Sequence, residues 1–224
     1  MGMDAEGEQT GGSRNECFSV PYGVKKDGEG FFEERHVPAR TEKVRVSPKT
    51  ILTRLLSEKI GRVGGQMPDR LFFFSHYFHS DYVYGFFSQA EKFAKEVGVD
   101  LSDVYDDVAS TMRERVETTE KGFVRNKYGQ PREGAINDDD VRYIAGVSTG
   151  PLVGVSLFRD YLDGKLLPPK AEERRKFTTP DQQILEQTPY ENEVQGRISQ
   201  IFGERVTAVQ QLRQNFTPTL PPTS

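Results

Sequence analysis

The chain has 224 residues, a net charge of −4 and a hydrophobic content of 35%, which suits one domain with polar extensions or two small domains. The mild acidity argues against a chain-wide electrostatic grip on nucleic acid. Cys17 is the only cysteine, which excludes an intramolecular disulfide and a cysteine-based metal cage within one chain.

The sequence favours a soluble, cytoplasmic protein. No apolar run reaches the roughly eighteen residues of a membrane span, and the start MGMDAEGEQTGGS lacks the layout of a secretory signal. Residues 25–70 carry eleven Lys and Arg against seven Asp and Glu. This mild bias suggests a nucleic-acid contact through that region. It ranks third, after the two functional hypotheses given at the end of this section.

The N-terminal part predicts an extended arm. Residues 1–16 have no apolar pattern and are predicted to be disordered. Residues 17–46 form the arm, in which apolar clusters flank a long loop, KKDGEG, and predict a β-hairpin. TEKVRV is expected to add one more short strand.

Residues 47–165 predict a helical core domain. Ser47 as N-cap and Gly61 as stop delimit the first helix. A long second helix should open at Pro68 and run to about Val97, where Gly98 closes it.

Three further helices are predicted in this domain. The first covers the stretch DLSDVYDDVASTMRERVETTEKG, whose apolar residues drift around one face. Two shorter helices follow, one over NDDDVRYIAG with Asn137 or Asp138 as its cap, and one capped near Ser148 or Thr149.

The C-terminal region predicts a polar linker over residues 166–188, an amphipathic helix over 189–216 and a disordered tail over 217–224. The helix either folds back onto its own core or docks on another subunit, as in helix-in-groove recognition. Its candidate partner-binding residues lie on or beside one stripe: Val194, Ile198, Ile201, Phe202, Arg205, Val209, Leu212 and Phe216.

The expected fold is therefore mainly α. It is a helical bundle around a long central aromatic-rich helix, with an extended N-terminal arm that can form a β-hairpin and a C-terminal amphipathic helix. The aromatic-rich stretch is DRLFFFSHYFHSDYVYGFF, from Asp69 to Phe87. Its apolar residues cover more than half of the helix circumference, which is typical of a buried helix.

Two histidines in that stretch raise the alternative of a ligand site. At 100° per residue, His76 and His79 share a stripe, whereas Asp81 points to the opposite side. A metal would therefore need further ligands from elsewhere in the fold. The alternative cofactors are a metal, a haem or a bilin held at His76 and His79 between helices. Cys17 lies outside the helical core, so a covalent bilin linkage has no candidate there.

No local catalytic motif stands out. A phosphate loop at AGVSTGPLVG lacks the Gly-Lys-Ser/Thr ending, and no nucleophile elbow is present. Polar arms on a compact helical core favour a non-catalytic interaction or structural subunit that forms homo- or hetero-oligomers. The alternative is a cofactor- or metal-binding helical protein, which could be an enzyme, using His76 and His79.

Overall fold

A computed structural model of the chain describes residues 24–27, 30–37, 40–65, 80–124, 136–167 and 189–216. These residues form three strands and five α-helices. The strands are β1 (Val24–Asp27), β2 (Gly30–Val37) and β3 (Arg40–Val46). The helices are α1 (Pro48–Gly65), α2 (Ser80–Glu96), α3 (Tyr105–Val124), α4 (Asp138–Leu162) and α5 (Pro189–Phe216). The predicted fold class, mainly α with an N-terminal hairpin, is confirmed.

The sheet is an antiparallel meander in the order β1-β2-β3. The first pairing ends at Asp27 opposite Gly30, so β1 takes in Lys25, Lys26 and Asp27, half of the segment that was expected to be a long loop. Strand β3 contains TEKVRV, as predicted, and begins one residue earlier at Arg40.

Helix α1 begins as the sequence predicts and ends later. The Ser47 hydroxyl accepts a hydrogen bond from the Thr50 backbone N–H at 3.1 Å, the bond expected of an N-cap. Gly61, the expected stop, lies inside the helix. A β-carbon at Gly61 would lie 2.1 Å from Nη1 of Arg115. This glycine therefore provides room for a guanidinium, and α1 continues past it to Gly65.

Helix α2 is the described part of the predicted second helix, and it ends where predicted, with Gly98 at a φ of 71°. A short 3₁₀ turn, Leu101–Val104, leads into α3, and Asp100 caps it by accepting from the Ser102 N–H at 2.9 Å. The apolar residues predicted to line this face are all buried: Leu101, Val104, Val108, Met112 and Val116.

Helix α4 corrects the prediction of two short helices, because it runs unbroken through Pro151. Asn137 caps it, as predicted, in a capping box with Asp140. Ser148 and Thr149, expected as a cap, lie buried in mid-helix, and the Thr149 hydroxyl donates to the Ala145 carbonyl at 2.7 Å. Pro151 costs one backbone hydrogen bond, and burial against neighbouring helices offsets that loss.

Helix α4 contacts all four other helices and occupies the centre of the described fold. Gly146, Gly150 and Gly154 are buried in this helix, and Gly154 allows a close approach to Ile60 of α1. The helix is long and apolar enough to cross a membrane, but 67% of its apolar window is buried inside this protein, as in a core helix. The aromatic-rich α2 packs on α4 through Phe87, whose ring stacks on Phe158 with centroids 5.1 Å apart.

Replacing Gly154 with alanine should lower the free energy of unfolding by about 1–3 kcal/mol, because a well-packed contact would be overfilled. The new β-carbon would lie 2.7 Å from Cγ2 of Ile60, a stiff β-branched side chain of α1. Urea denaturation of both proteins measures the loss.

The matched control is Gly203→Ala on α5, where a β-carbon meets nothing within 4 Å. That variant should gain up to about 1 kcal/mol from helix propensity. Equal changes in the two variants would contradict a close approach of α1 and α4.

Candidate functional site

The three-stranded sheet packs on the helices through its base. Phe31 of β2 pairs with Val46 of β3, and both are buried against Ile51 and Leu55 of α1. The pairing then continues outward to Val37 opposite Arg40. Along β3, Val46 at the base is buried, the residues from Arg45 to Glu42 alternate between exposed and partly buried, and Thr41 and Arg40 at the far end are both exposed. The outer part of the sheet therefore projects from the helical core.

One face of this projecting sheet carries cations around a half-buried aromatic ring. Phe32 is paired with Lys25 on one side and with Arg45 on the other. The Lys43 ammonium lies 4.2 Å from the centroid of the Phe32 ring, in the range of a cation–π contact. Lys25 also forms an ion pair with Glu34 at 2.7 Å. Lys25, Lys43 and Arg45 therefore share this face with the Glu34 carboxylate.

Two further ion pairs involve the strands. Arg54 of α1 reaches Glu33 of β2 at 3.4 Å, which ties the sheet to the first helix. Arg40 donates through Nε to Glu42 at 2.8 Å near the outer end. Such exposed pairs contribute little to stability.

Helix α5 folds back onto its own chain. Val194 and Ile198 are buried in the main core cluster with residues of α2, α3 and α4. Val209 is buried in a second cluster with Val141 and Ile144 of α4. In this conformation these three candidate partner-binding residues contact the chain's own core, and a partner could reach them only if α5 detached.

The remaining candidates on α5 are partly accessible. Ile201, Phe202, Arg205 and Leu212 are half-buried, and Ile201 packs on the main cluster. The side chain of Phe216 lies outside the described part of the chain. The predicted stripe is thus mainly an intramolecular packing face, along which burial is deepest at Val194, Ile198 and Val209.

A buried ion pair fixes the first half of α5. Nη1 of Arg197 donates to Asp160 of α4 at 2.7 Å and to the Ser156 hydroxyl at 2.5 Å. The Tyr190 hydroxyl donates to the same Asp160 oxygen at 3.1 Å. Burial, followed by the neighbouring Asp160 carboxylate, raises the pKa of Tyr190. Asp160 therefore holds two side chains of α5 at once.

A second buried pair, in mid-helix, is less completely satisfied. Nη1 of Arg205 lies 3.6 Å from Oε2 of Glu120 on α3. The other Glu120 oxygen, Nε of Arg205 and the Ser148 hydroxyl are buried without hydrogen-bond partners. Burial raises the pKa of Glu120, whereas the Arg205 charge and the nearby Ser148 hydroxyl act in the opposite direction. The Arg205–Glu120 pair therefore leaves buried polar atoms without partners, whereas the Arg197–Asp160 pair leaves none.

A third arginine holds the end of α5. Arg213 donates to the Asp138 carboxylate at 2.7 Å and to the Ile136 carbonyl at 3.3 Å. Arg197, Arg205 and Arg213 are thus spaced eight residues apart and each meets an acid of the bundle. Sequence reasoning identified only Arg205, by its place on the apolar stripe. Arg197 and Arg213 flank that stripe, and this position beside the apolar face is the sequence signal that could have identified them.

The predicted cofactor residues His76 and His79 lie outside the described residues. Within 24–27, 30–37, 40–65, 80–124, 136–167 and 189–216, no group of three His, Cys, Asp or Glu side chains is arranged to hold a metal ion.

Comparison of the chain with protein-family models, with curated proteins and with solved structures finds no match.

Proposed function

We propose that the chain is a non-catalytic interaction subunit of a larger assembly, and that its projecting sheet contacts the partner subunits. The observation that carries this proposal is the contrast between the buried base of the sheet and its outer end. Phe31 and Val46 fix its base in the core, while the outer part of β3 is exposed. Such an element adds little to its own core and offers a surface to another protein.

The chemistry of the outer face supports the same proposal. Phe32 supplies an apolar contact, and Lys25, Lys43 and Arg45 surround it with positive charge. Aromatic and arginine side chains are the residue types that dominate binding energy at interfaces. Complementary charge on a partner would steer encounter and set specificity. The expected partner surface is therefore acidic.

The backbone of the sheet adds a second mode of contact. Among the described strands, β3 pairs only with β2. No described strand covers its other edge, where we propose that a partner strand adds. Addition of a partner strand to an exposed edge is a common mode of peptide recognition.

Helix α5 has a supporting role in this proposal. Its apolar residues complete the chain's own core, so we propose the sheet and not α5 as the docking element. The burial of α4 within the bundle supports a soluble subunit, and we place the assembly in the cytoplasm.

Site-specific photo-crosslinking in cells of the source organism tests the proposal. A photoreactive residue replaces Thr41, which is exposed in β3, and a matched variant carries it at Thr118, which is exposed in α3. We expect discrete crosslinked species from position 41 and none from position 118. Light scattering on the purified chain then measures the mass in solution. A mass of two or more times 25.4 kDa would show that the partner is another copy of this chain.

Two results together would overturn the proposal. These are a monomer at every concentration and a crosslinking pattern that is the same at positions 41 and 118. Crosslinks from position 118 alone would place the interface on the helices and contradict the sheet as the contact.

A further inference from the structure

A cleft of about 580 Å³ lies between the C-terminal ends of α2 and α4. Helix α2 ends beside Gly98 and α4 beside Gly164, with φ angles of 71° and 69°. Both glycines line the cleft. The carbonyl ends of two helices therefore converge on one opening, and the partial negative charge at each favours a cation there.

Carboxylates in the same cleft strengthen that preference. Glu91 accepts from Lys95 at 2.7 Å and from the Tyr161 hydroxyl at 2.5 Å, and these two bonds lower its pKa. Asp100 accepts from the backbone and side chain of Ser102, which lowers its pKa as well. Lys95 is the one cation lining the cleft among the described residues, and its side chain is 72% exposed. A surface pair of this kind is weak, so Lys95 can yield its place to a ligand.

Aromatic and apolar surfaces complete the cleft. The rings of Tyr84 and Tyr161 lie 5.5 Å apart and are tilted by 56°, and both line the wall. Ala94, Leu101 and Leu166 are buried apolar residues of the same lining. Tyrosine faces attract cations through their quadrupole, whereas the apolar residues favour a hydrocarbon body.

We propose that this cleft binds an organic cation, an ammonium or guanidinium group carried on an apolar stem. The cationic group would meet Glu91 and the faces of Tyr84 and Tyr161, and the stem would lie on the apolar residues toward Leu167. Leu167 lies at the rim with 66% of its surface exposed. A free alkyl- or arylamine and a basic side chain of another protein share this chemistry. The proposal is independent of the projecting sheet.

Titration of the full isotope-labelled chain followed by NMR tests it. The probes are phenethylammonium for a free amine and a short blocked arginine peptide for a protein side chain, with 2-phenylethanol as the neutral match. We expect the amide signals of Gly98 and Gly164 to shift with at least one cationic probe at millimolar concentration and not with the alcohol. The cationic probe with the higher affinity indicates the source of the natural ligand.

Variants locate the binding charge. Glu91→Gln should weaken binding of the cationic probe about threefold to tenfold, as expected for loss of a partly exposed charge pair. Glu96→Gln on the same helix is the matched control, since Glu96 is exposed and lies outside the lining. Unchanged melting temperatures show that both variants fold.

Three results would each overturn the proposal. One is that neither cationic probe shifts Gly98 or Gly164. Another is that 2-phenylethanol binds as tightly as phenethylammonium, which would make the cleft merely apolar. The last is equal affinity of the wild-type and Glu91→Gln chains for the cation.

Discussion

Replacement of Asp160 with alanine is expected to lower the free energy of unfolding by about 2–3 kcal/mol, because the half-buried Arg197 loses its buried carboxylate partner. The Asp160 side chain is 6% exposed and its Arg197 partner 21% exposed. The substitution also removes the acceptor of the Tyr190 hydroxyl. Urea denaturation followed by circular dichroism measures the change.

The effect should be concentrated on α5. Arg197 and Tyr190 both lie in its first half, and Asp160 is their shared contact on α4. Hydrogen exchange in the variant should therefore show greater loss of protection in α5 than in α3, because local opening follows the lost contacts. The Ser156 hydroxyl and Glu193 remain as partners of Arg197, which keeps the loss below complete unfolding.

Two variants calibrate this result. Asp160→Asn keeps the shape and an acceptor for Tyr190 while removing the charge, so its loss should be smaller than that of alanine. Asp163→Asn, one turn later, breaks only surface pairs with Arg159 and Lys165 and should stay within about 0.5 kcal/mol of wild type. Equal losses in the Asp160→Ala and Asp163→Asn chains would show that the buried pair does not secure α5.

Replacement of Arg205 with methionine is expected to cost about 2–3 kcal/mol near pH 8 and about 1 kcal/mol near pH 5. Methionine keeps the apolar stem contacts and removes only the charge beside Glu120. Urea denaturation across this pH range measures the change in the free energy of unfolding.

The direction of the pH dependence follows from Glu120. Burial raises its pKa in the folded chain, so the folded state holds the proton at pH values where the unfolded state has lost it. Ionisation of Glu120 therefore costs stability as the pH rises, and Arg205 offsets part of that cost. Without Arg205 the pKa rises further, and the variant should regain stability as the pH falls and Glu120 takes up a proton.

The double variant Glu120→Gln/Arg205→Met removes both charges and should lose most of this pH dependence. Arg213→Met is a matched control on the same helix, since its partner Asp138 is 83% exposed; its smaller loss should change little between the two pH values. A loss in Arg205→Met that is equal at both pH values would contradict an ionised Glu120 as its cause.

Local signals in the sequence predicted the helix ends well where a cap or a left-handed glycine decides them. Ser47, Asn137 and Gly98 all act as expected. Prediction of the helix ends failed where packing between distant segments determines them. Gly61 and Pro151 are local breakers, yet Arg115 occupies the space beside the first and burial of α4 compensates for the second.

The candidate site shows the same difference between local signals, which the sequence reveals, and long-range packing, which it does not. Periodicity identified the apolar face of α5, including Val194, Ile198 and Val209, because helical spacing is a local property. It could not tell whether the covering surface belongs to this chain or to another, since both present the same apolar pattern. The acids that meet Arg197 and Arg213 lie 37 and 75 residues away in sequence. Pairings at such separation leave no local pattern.

The position of α5 has a consequence for the synthesis of the chain. Residues of α4 are made before α5, and the surfaces that Val194, Ile198 and Val209 cover stay exposed until α5 leaves the ribosome. Translation proceeds from the N-terminus, and exposed apolar surface on a partly made chain promotes aggregation. The core thus closes only after α5 has been made, and premature termination before residue 189 leaves a product with an open hydrophobic face.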